Sequence, residues 1–129
     1  MNLESPKILI HKPAEEIFKF LVDIKNFRKL MPESVNEFKL ISDFEFMFAL
    51  NGMPKIALVK KSEIPYKSII FKSNEKLDFS LKISINIKDV EKSEVQFFFD
   101  GNFNSMMTMM IKGPVSKFIE DLCFNIKKI

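Results

Sequence analysis

The chain has no tryptophan, one tyrosine, one histidine and one cysteine, and each scarcity removes a class of protein. With Cys123 alone there is no internal disulfide framework. With His11 as the only imidazole there is no Cys/His set of the kind that holds structural zinc, so neither metal nor cofactor is expected. Basic and acidic residues nearly balance, 20 against 17 for a net charge of +3. They are spread along the chain, without the basic stripe that nucleic-acid binding requires. Residues 1–13 hold no apolar core of a signal peptide, and no apolar run approaches the ~18 residues of a membrane span. A cytoplasmic protein without integral membrane association is the expectation.

What is abundant is phenylalanine, with 15 copies, followed by methionine with eight. Without Trp and with a single Tyr, almost every ring lacks a polar handle and serves as apolar filling. Hydrophobic residues make up 47% of the 129 positions and charged residues 29%. That balance excludes disordered and fibrous classes, and the length suits one domain over residues 1–129.

Residues 7–12 read as a short strand ending at Pro13, which suits the first position of a helix because its missing N–H has no partner there. Glu15 and Glu16 favour the positive end of that helix. Ala14, Ile17, Phe18 and Leu21 form its apolar stripe. Ile24, Phe27, Leu30 and Met31 carry a second, shorter helical pattern that Pro32 stops. From Val35 to Asn102 the period becomes two. Leu77, Phe79, Leu81, Ile83, Ile85 and Ile87 alternate with polar residues, the signature of an antiparallel sheet covered on one side. With turn signals at Asn51-Gly52, Ile64-Pro65, Ser73-Asn74 and Glu91-Lys92-Ser93, about six strands follow in a meander. After Asn104 a long helix runs to the C-terminus. Its apolar face is Val115, Phe118, Ile119, Leu122 and Ile126, extended upstream by Met106, Met109 and Met110. A kink, or two abutting helices, is expected at Gly113-Pro114.

The implied fold class is α+β: a curved antiparallel sheet of about six to seven strands on a long C-terminal helix, with two short helices between strands 1 and 2. The opening segment, Pro13-Ala14-Glu15-Glu16-Ile17-Phe18-Lys19-Phe20-Leu21-Val22-Asp23 followed by Leu30-Met31-Pro32, resembles that of START-like proteins. This is the helix-grip or SRPBCC superfamily, which includes the birch-pollen allergen, lipid-transfer START domains and bacterial polyketide cyclases. The resemblance implies a cavity between helix and concave sheet, used by relatives for lipids, hormones, quinones or polyketides.

The candidate ligand-binding face is Phe38, Leu40, Phe44, Phe46, Phe48, Phe71, Phe79, Leu81, Phe97 and Phe99, roofed by Met106, Met109 and Met110. Such a face suits non-catalytic carriage or sensing of a small hydrophobic molecule such as a lipid or quinone. The competing reading is that the same rings simply fill the core. A cyclase- or hydrolase-type enzyme needs an inward acid, base or nucleophile, and the inward strand positions offer neither His nor Arg. Ser42, Ser73 and Asn102 read as strand-end residues, His11 as a surface imidazole, Tyr66 as a loop residue and Cys123 as packing. No catalytic residue is assigned.

Two registers of the Asn51-Gly52 hairpin remain open. A two-residue turn pairs Phe46 with Ala57 and Phe48 with Lys55, whereas a three-residue turn pairs Phe48 with Ile56 and Phe46 with Leu58. In the first case Met47 joins Ile56 and Leu58 on the outer face; in the second, Met47 and Ala49 join Ala57 and Val59. With Ile70 and Phe98 this makes an apolar patch, which points to a homodimer through the back of the sheet.

Overall fold

The computed structural model describes residues 1–33, 35–50, 53, 55–73 and 78–129. The chain opens with two short strands, β1 (Asn2–Glu4) and β2 (Ile8–Ile10), that lie end to end along the same neighbour. Pro6 has no N–H to give a ladder, and the interruption is repaired locally. The Ser5 hydroxyl accepts the amide of Phe97 at 2.8 Å and donates to the Pro6 carbonyl. Sequence spacing marked only the second of these strands, because Asn2-Leu3-Glu4 is too short to show a period.

Helix α1 (Ala14–Val22) buries Ala14, Ile17, Phe18 and Leu21, the stripe the spacing predicts. Pro13 stands just outside it, extended at φ −62° and ψ 148°, and its carbonyl accepts the first helical bond from Ile17. The helix thus starts one residue later than expected. A 3-10 turn (Ile24–Asn26) follows, capped by the Asp23 carboxylate on the Lys25 amide, and leads into α2 (Phe27–Leu30). Phe27 and Leu30 are fully buried.

Six strands then form the meander: β3 (Val35–Leu40), β4 (Glu45–Leu50), β5 (Ile56–Ile64), β6 (Ser68–Ser73), β7 (Phe79–Asp89) and β8 (Lys92–Gly101). Every pairing is antiparallel, and the sheet runs β3-β4-β5-β6-β7-β8, with β1 and β2 together on the far side of β8. Phe48 faces Ile56 and Phe46 faces Leu58, which selects the three-residue register. Asn51, Gly52, Asn74 and Leu77, named above for turns and for the strand, lie outside the described residues. The β7–β8 turn falls at Val90-Glu91, just before the expected position.

Helix α3 (Ser105–Ile126) is capped by the Asn104 side chain, which accepts from the Met107 amide at 2.8 Å, and it grips the concave side of the sheet. It is one helix through Pro114 rather than two. Pro114 has no N–H to give the Met110 carbonyl, and Met110 is 67% exposed. The core lies between α1, α2 and α3 on one side and the inward residues of β4 to β8 on the other. Ile87 is an exception to the expected face. It is 68% exposed, at the distal end of β7 next to a register shift between Ile87 and Asp89.

Candidate functional site

The concave face is built in rows across the sheet. One row runs Lys60, Phe71, Leu81, Phe99, and the next runs Ile69, Ile83, Phe97. Phe46, Phe48, Phe71, Phe79, Leu81, Phe97 and Phe99 all point into the core and are buried, as the alternation predicts. Aromatic contacts join this face to the helices. The Phe27 ring of α2 stacks on Phe46 at 5.1 Å and meets Phe71 edge-on at 5.3 Å, while Phe48 stacks on Phe118 of α3 at 4.9 Å. Phe46 also touches Phe71 at 5.7 Å and Phe38 at 5.6 Å, so rings fill the middle of the grip.

Four of the expected residues sit elsewhere. Phe44 is 56% exposed because it belongs to the turn before β4, where its amide donates to the Ser42 hydroxyl. Parity counted back from Phe46 does not carry through that turn. Met106, Met109 and Met110 are 73, 84 and 67% exposed and do not roof the sheet. The reason is angular. Met110 precedes Val115 by five residues, about 140° round an α-helix from the buried stripe, whereas Ile111 precedes it by four and is buried. Met107 and Thr108 are the half-buried continuation of the stripe. Phe38 and Leu40 are half-buried at the sheet edge; the Arg28 guanidinium lies 5.0 Å from the centre of the Phe38 ring. Leu40 also lines an open cleft of about 530 Å³ with Asp23, Ile24, Lys25 and the turn at Ile41, Ser42 and Asp43.

At the other end of the sheet, where β8 passes into α3, the Phe79 and Phe99 rings stack at 5.2 Å and the half-buried Phe103 ring lies 6.4 Å from Phe79. Helix α3 is held unevenly there. It buries a residue at each turn from Ile111 to Ile126 and none before Ile111.

Sequence reasoning missed Lys60. It shares the inward parity of Ile56 and Leu58, and its ammonium donates to the Val22 carbonyl at the end of α1 at 3.2 Å and pairs with Glu63 at 3.3 Å. A lysine at that carbonyl complements the negative end of the helix. The alternation on β5 was the available signal, since it continues past Val59. The register shift between Lys60 and Ser62 ends the inward run at this point.

Among the described residues the buried polar ones are Ser5, Ser68 and Ser93, and Ser93 donates to the Lys12 carbonyl at 3.0 Å. Among the described residues no group of three or more His, Cys, Asp or Glu is placed to hold a metal. Burial pushes the Cys123 thiol up, with Ser5 and Lys127 opposing. The Lys19 ammonium beside Glu15 holds that exposed carboxyl below its ordinary value, and Tyr66 donates to the same carboxylate at 3.3 Å. Tyr66 lies in the turn after β5, edge-on to Phe18, and His11 is exposed. On the back of the sheet Met47, Val59, Ile70 and Phe98 are half-buried and Ala57 is buried. Lysines stand among them, with Lys39 opposite Met47, Lys72 opposite Val59 and Lys82 between Ile70 and Phe98.

Among solved structures, a START superfamily protein from Mycobacterium smegmatis superposes with a TM-score of 0.77. It is 11% identical, over 98% of this chain and 94% of that one. A protein from Thermus thermophilus, TTHA0849, gives 0.75 at 10% identity, over 99% and 95%. The di-domain ARO/CYC BexL from the BE-7585A biosynthetic pathway gives 0.69 at 12% identity, over 98% of this chain and 46% of BexL. No protein-family model and no curated protein matches the sequence. The chain therefore has the helix-grip fold of START-like proteins, the fold its opening segment and element order imply. No helix among the described residues is long and apolar enough to cross a membrane.

Proposed function

We propose that this chain, acting as one START-like domain, binds a small hydrophobic molecule such as a lipid or quinone between sheet and grip helix, as a carrier or sensor and without catalysis. The observation that carries the reading is the uneven hold on α3. Its C-terminal turns are locked by Phe118, Ile119, Leu122 and Ile126, while no residue before Ile111 is fully buried, in the turns that follow Phe103, whose ring lies 6.4 Å from Phe79. A guest entering there displaces side chains at the weakly held end and leaves the ring cluster around Phe46 in place. Affinity comes from apolar burial at ~25 cal/mol per Å², less the cost of ordering.

Native mass spectrometry of freshly purified protein, with extraction of bound lipophiles, tests this. A discrete adduct is expected. A Phe99→Trp variant gives a clean optical signal because the chain has no other Trp; its emission should shift on titration with fatty acids or quinones. Neither adduct nor shift across a lipophile panel rejects the reading.

The ring contacts around Phe46 favour a second reading, an interaction module with a filled core that pairs with a second copy through Met47, Val59, Ile70 and Phe98. Light scattering decides it. A mass near twice 15.1 kDa that falls to one chain in Phe98→Glu supports the pairing, and a monomer at high concentration removes it.

A further inference from the structure

Strand β3 ends the sheet with an open backbone edge. The Ile41 amide donates to the Glu45 carbonyl at 2.9 Å and the Lys60 amide to the Phe44 carbonyl at 2.8 Å, so the odd-numbered residues of β4 turn their backbone to β3 and the even-numbered ones to β5. Lys39 faces Met47 and Glu37 faces Ala49 in the first of these ladders, which leaves the N–H and C=O groups of Phe38 and Leu40 directed away from β4. Among the described residues nothing hydrogen-bonds to them, and no element besides β4 runs alongside β3. A row of such groups takes one kind of partner, another extended strand.

We propose that β3 pairs antiparallel with β3 of a second copy about a two-fold axis at Phe38, which continues the sheet from one chain into the next. The side chains select this partner and this register. With the axis at Phe38 the two Phe38 residues exchange N–H···O bonds, and Glu37 of each chain lies opposite Lys39 of the other. Within the regular stretch Glu37–Leu40 no other axis does this. An axis at Lys39 sets lysine on lysine, one at Glu37 sets carboxylate on carboxylate, and one at Leu40 sets Glu37 against Asp43. Charges on an edge strand ordinarily keep other strands away; spaced evenly about Phe38, these oppose slipped or foreign strands and match a copy. Glu37 and Lys39 are exposed. Glu37 also meets Lys55 at 3.4 Å through one carboxylate oxygen, which leaves the other for the second copy, and Lys39 carries no ion pair among the described residues. Arg28 lies over the Phe38 ring on the concave side, away from these charges, and Glu33 and Asp43 stand in the turns beyond the strand. The register shift between Val35 and Glu37 precedes the paired stretch. The opposite edge offers no comparable run, since β1 and β2 have three residues each and Pro6 stands between them. The pairing is independent of whether the grip holds a ligand, and it leaves the back of the sheet free.

Light scattering of the full chain tests it. A mass near twice 15.1 kDa at high concentration is expected, unchanged in Phe98→Glu. Lys39→Glu alone and Glu37→Lys alone should each weaken the dimer at least about tenfold, with unchanged circular dichroism, because each turns two attractions across the axis into two repulsions. An equimolar mixture of these two variants should dimerise again, since every charge then meets its opposite. A monomer at high concentration, a dimer indifferent to both single changes, or a mixture that stays monomeric overturns the proposal. So does a dimer lost in Phe98→Glu, which assigns the pairing to the back of the sheet.

Discussion

At the scale of single residues, two phenylalanines two positions apart have opposite worth. Phe46 is fully buried among Phe27, Phe38, Phe48 and Phe71, so Phe46→Ala should cost about 3–5 kcal/mol in urea unfolding. Phe44→Ala, in an exposed turn, should stay within about 0.5 kcal/mol of the parent. Gly101 is constrained from outside its own backbone. A Cβ there runs into the Phe103 ring, so Gly101→Ala should cost about 1–3 kcal/mol, and much less in a Phe103→Ala background where the obstacle is gone. Cys123 supplies a pH signature. Burial raises its pKa in the folded chain, so its contribution to stability is whole below the ordinary thiol value of about 8.5 and is lost as pH rises through the folded value. Cys123→Ala should flatten the alkaline limb of stability against pH. The native thiol should also react with a disulfide reagent at least about a hundredfold more slowly than the unfolded one. Inward parity named most of the buried rings correctly from sequence. It failed at Phe44 because a turn resets parity, and it overlooked Lys60 because a charged residue was not sought on an inward row.

At the scale of elements, α3 carries a cost that its exposure makes visible. Gly113 and Pro114 are both poor residues for a helix interior, and nothing crowds Gly113. Gly113→Ala should stabilise by about 0.5–1 kcal/mol and Pro114→Ala by about 1–3 kcal/mol, read as shifts in the urea midpoint. The elements themselves were largely legible. Helical spacing located α1 and the α2 region, and alternation gave the meander, because burial on one side imposes those periods on the sequence. The methionines misled because a stripe was extended across Pro114 by five residues instead of four, and one such step turns a side chain from core to solvent. Strand β1 was illegible for another reason: three residues beside a proline show no period, and their pairing is set by a partner far along the chain.

For the whole molecule, the order of strands fixes a gradient of protection. Strand β7 is paired with β8 along its length and with β6 over Ser80–Ser84, whereas β3 at the end of the sheet pairs, among the described residues, with β4 alone and is broken by a register shift between Val35 and Glu37. Amide exchange should therefore be slowest in β7 and fastest, among the long strands, in β3. Element order and length were enough to reach the helix-grip fold from sequence. The occupancy of the grip was not legible, because it depends on how rings from α2, β4 and α3 meet, and period alone carries no such distance. The pairing of β1 and β2 with β8 has a further consequence during biosynthesis. Ser5 finds its partner Phe97 only after 92 further residues have been made, and α3 follows later still. A ribosome delivering this chain thus holds a phenylalanine-rich sheet with one edge unpaired and with the part of its inner face that α3 covers, Phe48 included, still open. The nascent chain should depend on a holding chaperone until its last helix emerges.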